Sequence, residues 1–250
     1  MILIAGNCVI ENYETLKETV EVLLEEVQDK EIDFYFKSSF KKDNRTSIKS
    51  FSGLEEDKAL ELLAKIKKEY NVKVCTDVHN TEQVDKLDFI DMIQIPAFLA
   101  KQRSLLEKVS MFAEDRKIHI KKPQFIPPDE ISFICETIEK HNRRKDNIII
   151  TDRGTLLGYD KYFIDPRHTP IMKRHCNNIV WDITHPTKNQ KFKNDVLTLG
   201  LSGIASGASG LFIETHPNCD KALCDNKTML PLSEIKELIS KTYNLWRFLK

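Results

Sequence analysis

Glycine is scarce in this chain, eight in 250 residues, and the scarcity excludes whole classes of site. The turn after the first apolar run, AGNCVIEN, offers only Gly6. The Gly-rich dinucleotide cradle of an open doubly wound sheet is therefore missing, and any phosphate has to be held by side chains. Net charge is missing as well, because Lys plus Arg and Asp plus Glu both number 38. No global field argues for nucleic acid or a membrane surface as a partner. No apolar run approaches the roughly 18–20 residues of a spanning helix. The chain opens directly on MILIAG, without a basic leader or small-residue cleavage site, so nothing suggests export. The six cysteines form no CxxC pair, and a chain of this size needs no disulfide staples, so reduced thiols in a cytoplasm are expected.

What is present is a repeated juxtaposition. Eight apolar runs each lead into a residue with chemistry or a turn: ILIA into Cys8, FYF into Lys37, VKVCT into Asp77, MIQI into Pro96, IHI into Lys121, IIITD into Arg153, IVWDIT into His185 and LFI into Glu214. Between them lie segments of helical period. Residues 12–28 put Leu16, Val20, Leu23, Leu24 and Val27 on one face, and residues 54–70 repeat the pattern. Weaker helices are expected near 81–87, 101–113, 128–141, 166–175, 193–208 and 233–248. Strand and helix alternating eight times, with nearly continuous apolar strands, predicts a single-domain (β/α)8 TIM barrel over residues 1–250. Active sites of that architecture gather at the carboxyl ends of the strands.

The densest such end is KSSFKKDNRTS, residues 37–47. It mixes Lys37, Lys41, Lys42 and Arg45 with Asn44, Thr46 and serine hydroxyls, a composition suited to an anion. Its bland alternative is a solvated basic loop. Lys121 and Arg153 add two cationic strand ends, with Lys122 pointing the other way by the period of two. Cations around one rim repel each other unless an anion or internal ion pairs balance them. Cys8, His185, Glu214 and Asp225 make a soft-to-hard donor set for zinc, ferrous iron or manganese. Each also has a dull reading: Cys8 as packing, His185 bonded to Asp182, Glu214 paired with a lysine. Asp77, with His79 nearby, is an acid/base candidate or the partner of a rim lysine, while His119 reads as structural.

At these motifs the chain resembles the 3-deoxy-D-manno-octulosonate 8-phosphate synthase family. The resemblance runs through KSSFKKDNRTS, TDVH, QIPAFLAKQ, IKKPQF, TDRGTLLGY, PIMK, DITH, FIETHP and ALCD…LPL, in order over essentially the full length. It implies condensation of phosphoenolpyruvate with arabinose 5-phosphate in a cytoplasmic homotetramer. By resemblance, Lys42, Lys121 and Arg153 grip phosphoenolpyruvate, helped by the backbone at Pro96 and Ala97 and by Gln124. Lys37, Asn44, Arg45 and Thr46 hold the sugar phosphate. Cys8 stands where the metal-dependent class has its cysteine, which implies a divalent metal held by Cys8, His185, Glu214 and Asp225. Lys121, His185, Asp225 and Asp77 are the catalytic candidates. Three features depart from the family pattern: Asn7 precedes Cys8 where proline is usual, the stretch after Phe51 is shortened to Ser-Gly-Leu-Glu (residues 52–55), and the loop PTKNQKFKND after His185 is short.

Overall fold

The computed structural model describes residues 1–250 apart from 44, 46, 143, 160 and 188–193. Eight parallel strands run in chain order: β1 (Ile2–Gly6), β2 (Asp33–Lys37), β3 (Val74–Asp77), β4 (Met92–Ile95), β5 (Lys117–Lys121), β6 (Ile148–Asp152), β7 (Asn178–Asp182) and β8 (Gly210–His216). Each pairs with the next, and β8 pairs with β1 from Ile2↔Gly210 to Gly6↔Glu214, which closes the (β/α)8 barrel. The two glycines at that seam have a reason. A Cβ on Gly210 would sit 1.8 Å from the Ile2 carbonyl oxygen, and one on Gly6 would sit 2.1 Å from that of Lys37.

The helices follow the expected positions: α1 (Tyr13–Val27), α2 (Glu56–Tyr70), α3 (Thr81–Val84), α4 (Arg103–Ala113), α5 (Ile131–His141), α6 (His168–Met172), α7 (Asn194–Ala205) and α8 (Ile235–Leu249). Two are much shorter than their apolar patterns. α3 is a single turn, held by the Asn80 side chain accepting from the Gln83 amide. α6 begins after Pro166 and carries Pro170 in its first turn, where a missing N–H breaks no helical bond. A hairpin absent from the sequence reading, Thr155–Leu157 against Lys161–Phe163, follows β6.

Side-chain alternation sorts the strands into two surfaces. Leu3, Phe36, Val74, Ile93, Ile118, Ile150, Trp181 and Leu211 face outward into the main core beneath the helices. Facing inward, Ile4, Tyr35, Cys75, Met92, Ile149, Val180 and Phe212 form a separate apolar plug. The β5 position of that plug is His119, whose ring centroid lies 5.9 Å from that of Phe212. Its Nε2 bonds Thr151 Oγ1 at 2.6 Å, and burial keeps the ring well below the usual imidazole pKa, with Lys121 adding to the effect. A histidine held neutral inside a barrel plug is structural.

Candidate active site

Two residues beyond the plug, the same inward period delivers Gly6, Lys37, Asp77, Gln94, Lys121, Thr151, Asp182 and Glu214 to the carboxyl end of the barrel. An apolar layer therefore sits directly under a charged one, and low dielectric on one side strengthens every ion pair in the ring. Lys37 Nζ lies 3.0 Å from Asp77 Oδ1 and 2.7 Å from Ser39 Oγ. Lys121 Nζ lies 2.6 Å from Asp182 Oδ2 and 2.9 Å above the centre of the Phe212 ring. Both lysines and both aspartates are buried. Two of the rim cations are thus balanced by internal carboxylates, so mutual repulsion does not by itself demand a bound anion.

The carboxylates stay ionised despite their setting. Burial would raise Asp77, but Lys37 and Lys42 outweigh it and hold the group well below the usual range. Burial would likewise raise Asp182, which His185 and Lys121 pull far down. Lys121 goes the other way: burial lowers it to about 8, with Asp182 supporting the cation and Arg153 opposing it. Lys42 is raised, because Cys8, Asp77, Glu214 and Cys224 together overcome the burial that would lower it.

Above the ring opens a cavity of about 410 Å³ whose lining includes Lys42, Arg45, Arg153, His185 and Asp225. Arg153 lies just beyond β6, its guanidinium carbon 5.5 Å from the Tyr162 ring centre in the hairpin. Its Nε is buried without a hydrogen-bond partner among the described residues, as are Gln94 Oε1 and both amide atoms of Gln124. Unsatisfied buried polar groups are costly, so three of them at neighbouring strand ends point to a polar ligand. Pro96 starts the 3₁₀ turn Ala97–Leu99, with Ala97 buried. Asn44 and Thr46 fall outside the described residues, as does most of the short loop after His185.

His185 and the second half of the site meet at β7 and β8. Asp182 Oδ2 lies 2.8 Å from His185 Nδ1, while Asp182 Oδ1 accepts from the backbone amides of Thr184 at 3.1 Å and His185 at 3.0 Å. The dull reading of His185, a bond to Asp182, is realised, and it directs Nε2 toward Glu214 Oε2 at 3.6 Å. That oxygen is buried with no hydrogen-bond partner among the described residues. A histidine fixed through one nitrogen by a carboxylate, with the other facing an orphaned carboxylate, is the arrangement of a metal ligand and its supporting partner.

Among the described residues two donor groups could hold an ion: His185, Glu214 and Asp225, and Cys8, Cys224 and Asp225. Within each, the donor atoms lie within 4.8 Å of one another. Asp225, at φ +46°, belongs to both. Its carbonyl accepts from the amides of Thr228 and Met229, which fixes the turn. Its carboxyl is brought down to about 2: burial opposes this, but His185, Lys42, the Cys8 thiol and Arg45 prevail. Burial raises the Cys8 thiol well above its ordinary value, and its contact with Cys224 adds to the rise. The donor chemistry fits a divalent metal of borderline softness. Beside Cys8, the Asn7 amide nitrogen bonds Thr19 Oγ1 of α1 at 2.9 Å and the Thr215 carbonyl at 3.3 Å, while its Oδ1 is buried with no hydrogen-bond partner among the described residues.

Three members of this constellation escape sequence reasoning as functional groups. Asp182 was legible only as a neighbour of His185, although its i, i+3 spacing in DITH and its inward phase mark it. Gln94 carries the same inward phase two residues beyond Met92. Cys224 is masked by its position in a loop, adjacent to Asp225.

Comparison with known proteins shows what the whole chain is similar to. A family model described as DAHP synthetase I family matches residues 1–246. A protein of Francisella tularensis subsp. holarctica (strain LVS) named 2-dehydro-3-deoxyphosphooctonate aldolase is 37% identical over 247 residues, covering 95% of this chain and 88% of its own. Proteins of the same name from Bdellovibrio bacteriovorus and Aliivibrio fischeri (strain MJ11) are 37% and 34% identical, covering 96% and 97% of this chain and 86% and 88% of theirs.

Proposed function

From the premise that this chain belongs to the DAHP synthetase I family, we propose that it condenses phosphoenolpyruvate with D-arabinose 5-phosphate and water. The products are 3-deoxy-D-manno-octulosonate 8-phosphate and inorganic phosphate. The single observation that carries the reading is the charged ring beneath an arginine- and lysine-lined cavity, in a chain whose full-length relatives bear the synthase's name.

Phosphoenolpyruvate carries a carboxylate and a phosphate on one carbon, so its holder needs two anion subsites close together. Lys121, Arg153 and Lys42 supply the cations, and the unsatisfied Gln124 amide supplies a donor and an acceptor. Lys37, Arg45, Asn44 and Thr46 belong to the sugar-phosphate side. Lys37 acts there through the loop it anchors, since its own ammonium is buried against Asp77 and Ser39. Preorganised cations aimed at developing charge stabilise the transition state without reorganisation.

In the reaction, C3 of phosphoenolpyruvate attacks the aldehyde carbon and water adds at C2. The resulting hemiketal phosphate loses inorganic phosphate by breaking its C–O bond, leaving a ketone at C2. Of the two protons that the attacking water gives up, the new hydroxyl takes one and the departing phosphate the other. In this reading Lys121 holds the donor's anionic end, Asp182 orients both Lys121 and His185, and Asp77 keeps Lys37 in place. A divalent metal held by Cys8, His185, Glu214 and Asp225 would supply Lewis-acid polarisation and orientation at the aldehyde. Zinc, ferrous iron and manganese all suit such donors. We assign the barrel as one catalytic domain acting in a cytoplasmic homotetramer, on the strength of the family resemblance and of six cysteines none of which forms a disulfide. No helix among the described residues is long and apolar enough to cross a membrane.

The test is product analysis with phosphoenolpyruvate carrying oxygen-18 in the bridging C–O–P position. The label is expected in inorganic phosphate. Its retention in the sugar product would overturn the C–O cleavage, and absence of an eight-carbon product would overturn the condensation.

A further inference from the structure

Cys224 is the one donor of the metal-binding constellation that the family resemblance does not assign. Its sulfur lies 2.9 Å from Cys8 Sγ, which in turn lies 3.3 Å from Asp225 Oδ2. Cys8, Cys224 and Asp225 offer donor atoms all within 4.8 Å of one another. Cys8 and Cys224 are both buried, in a small apolar cluster with Val9, Ala222 and Met229 that keeps the thiols from bulk water. The left-handed turn at Asp225 places neighbouring side chains of one loop on the same target, the end of β1. Arg45 Nη1 lies 2.9 Å from Cys224 Sγ and 3.2 Å from Asp225 Oδ1, where a guanidinium offsets the negative charge that a second thiolate would add.

We infer that Cys224 is a second thiolate ligand, so that this chain's metal centre carries two sulfurs, from Cys8 and Cys224, beside Asp225 and the His185–Glu214 pair. The inference rests on the metal-dependent reading above and deepens it. Two soft donors bias a site toward zinc and away from manganese, which prefers oxygen. The consequence is metal selectivity: losing one thiolate is expected to weaken zinc about tenfold or more while changing manganese much less.

X-ray absorption on the zinc-loaded, unsubstituted protein counts the sulfurs directly, and two Zn–S distances of about 2.3 Å are expected. In Cys224→Ser the count is expected to fall to one, and the zinc-to-manganese affinity ratio to fall with it. A single sulfur in the unsubstituted protein removes Cys224 while leaving the metal reading standing. Two sulfurs surviving in Cys224→Ser also overturn the assignment. Failure of the unsubstituted protein to bind zinc, manganese or ferrous iron overturns both readings. The count in the unsubstituted protein needs no variant, so a misfolded Cys224→Ser cannot obscure the result.

Discussion

Replacing Asp182 with alanine probes the site where its charge network is tightest. Asp182 is fully buried and touches both halves of the chemistry, Lys121 at 2.6 Å and His185 Nδ1 at 2.8 Å. Three effects set the size of the loss. With its folded pKa at about 8, Lys121 is mostly protonated at pH 7, and that protonation is worth about 1.4 kcal/mol. Removing the carboxylate costs at most this much through Lys121, because beyond that point the lysine sheds its proton. The amides of Thr184 and His185 then lose their acceptor, at about 1 kcal/mol each or more. Relief from burying the carboxylate returns part of this. The net expectation is about 2–4 kcal/mol, or a fall in melting temperature of roughly 5–15 °C for a chain of this length. Phosphoenolpyruvate binding carries the sharper signature. An anion favours the protonated lysine, so affinity falls as pH rises through the free enzyme's Lys121 pKa, near 8 in the unsubstituted protein. Without Asp182 that limb moves to lower pH, and affinity lost at pH 7.5 returns toward pH 6. Titrating fluorescence or heat against phosphoenolpyruvate over pH 6–9 measures both. A limb that stays near 8 in Asp182→Ala would refute the coupling.

Other outcomes follow from the same geometry. Arg153→Ala removes a cavity cation and is expected to lower kcat/KM for phosphoenolpyruvate by roughly ten- to hundredfold, on the order of the 1.5–3 kcal/mol of a charged hydrogen bond, with little change in urea stability; an unchanged kcat/KM contradicts its role. Gly6→Ala forces a Cβ to within 2.1 Å of the Lys37 carbonyl oxygen, so β1 and β2 must part, and a loss of about 3 kcal/mol or more in urea unfolding is expected. Chelation is expected to abolish activity, with recovery on adding zinc, manganese or ferrous iron; full activity in the chelated protein contradicts the metal assignment while leaving the condensation intact.

The barrel was legible because its signals are local. Continuous apolar runs, helical periods between them and a residue with chemistry after each run suffice to order eight parallel strands. The ring of the site was legible in part. The period of two identifies Lys37, Asp77, Lys121 and Glu214 as inward, two residues past Tyr35, Cys75, His119 and Phe212. The same rule applied to β4 and β7 yields Gln94 and Asp182, but each sits inside an apolar run and precedes a more conspicuous residue. What the sequence hides is pairing. That Lys121 spends its charge on Asp182, and Lys37 on Asp77, depends on which strands are neighbours once the barrel closes. Cys224 is hidden for the same reason, since 216 residues separate it from Cys8 and only the β8–β1 seam brings their loops together. The hairpin at 155–163 is short, half exposed and carried by three-residue strands, too little length for a periodic pattern.

Phosphate release from phosphoenolpyruvate, followed continuously with arabinose 5-phosphate or erythrose 4-phosphate as the second substrate, decides which condensation this barrel performs. Stoichiometric release is expected that depends on arabinose 5-phosphate and yields the eight-carbon keto acid phosphate, with little release alongside the four-carbon sugar. Preference for erythrose 4-phosphate, or no release with either, would contradict it.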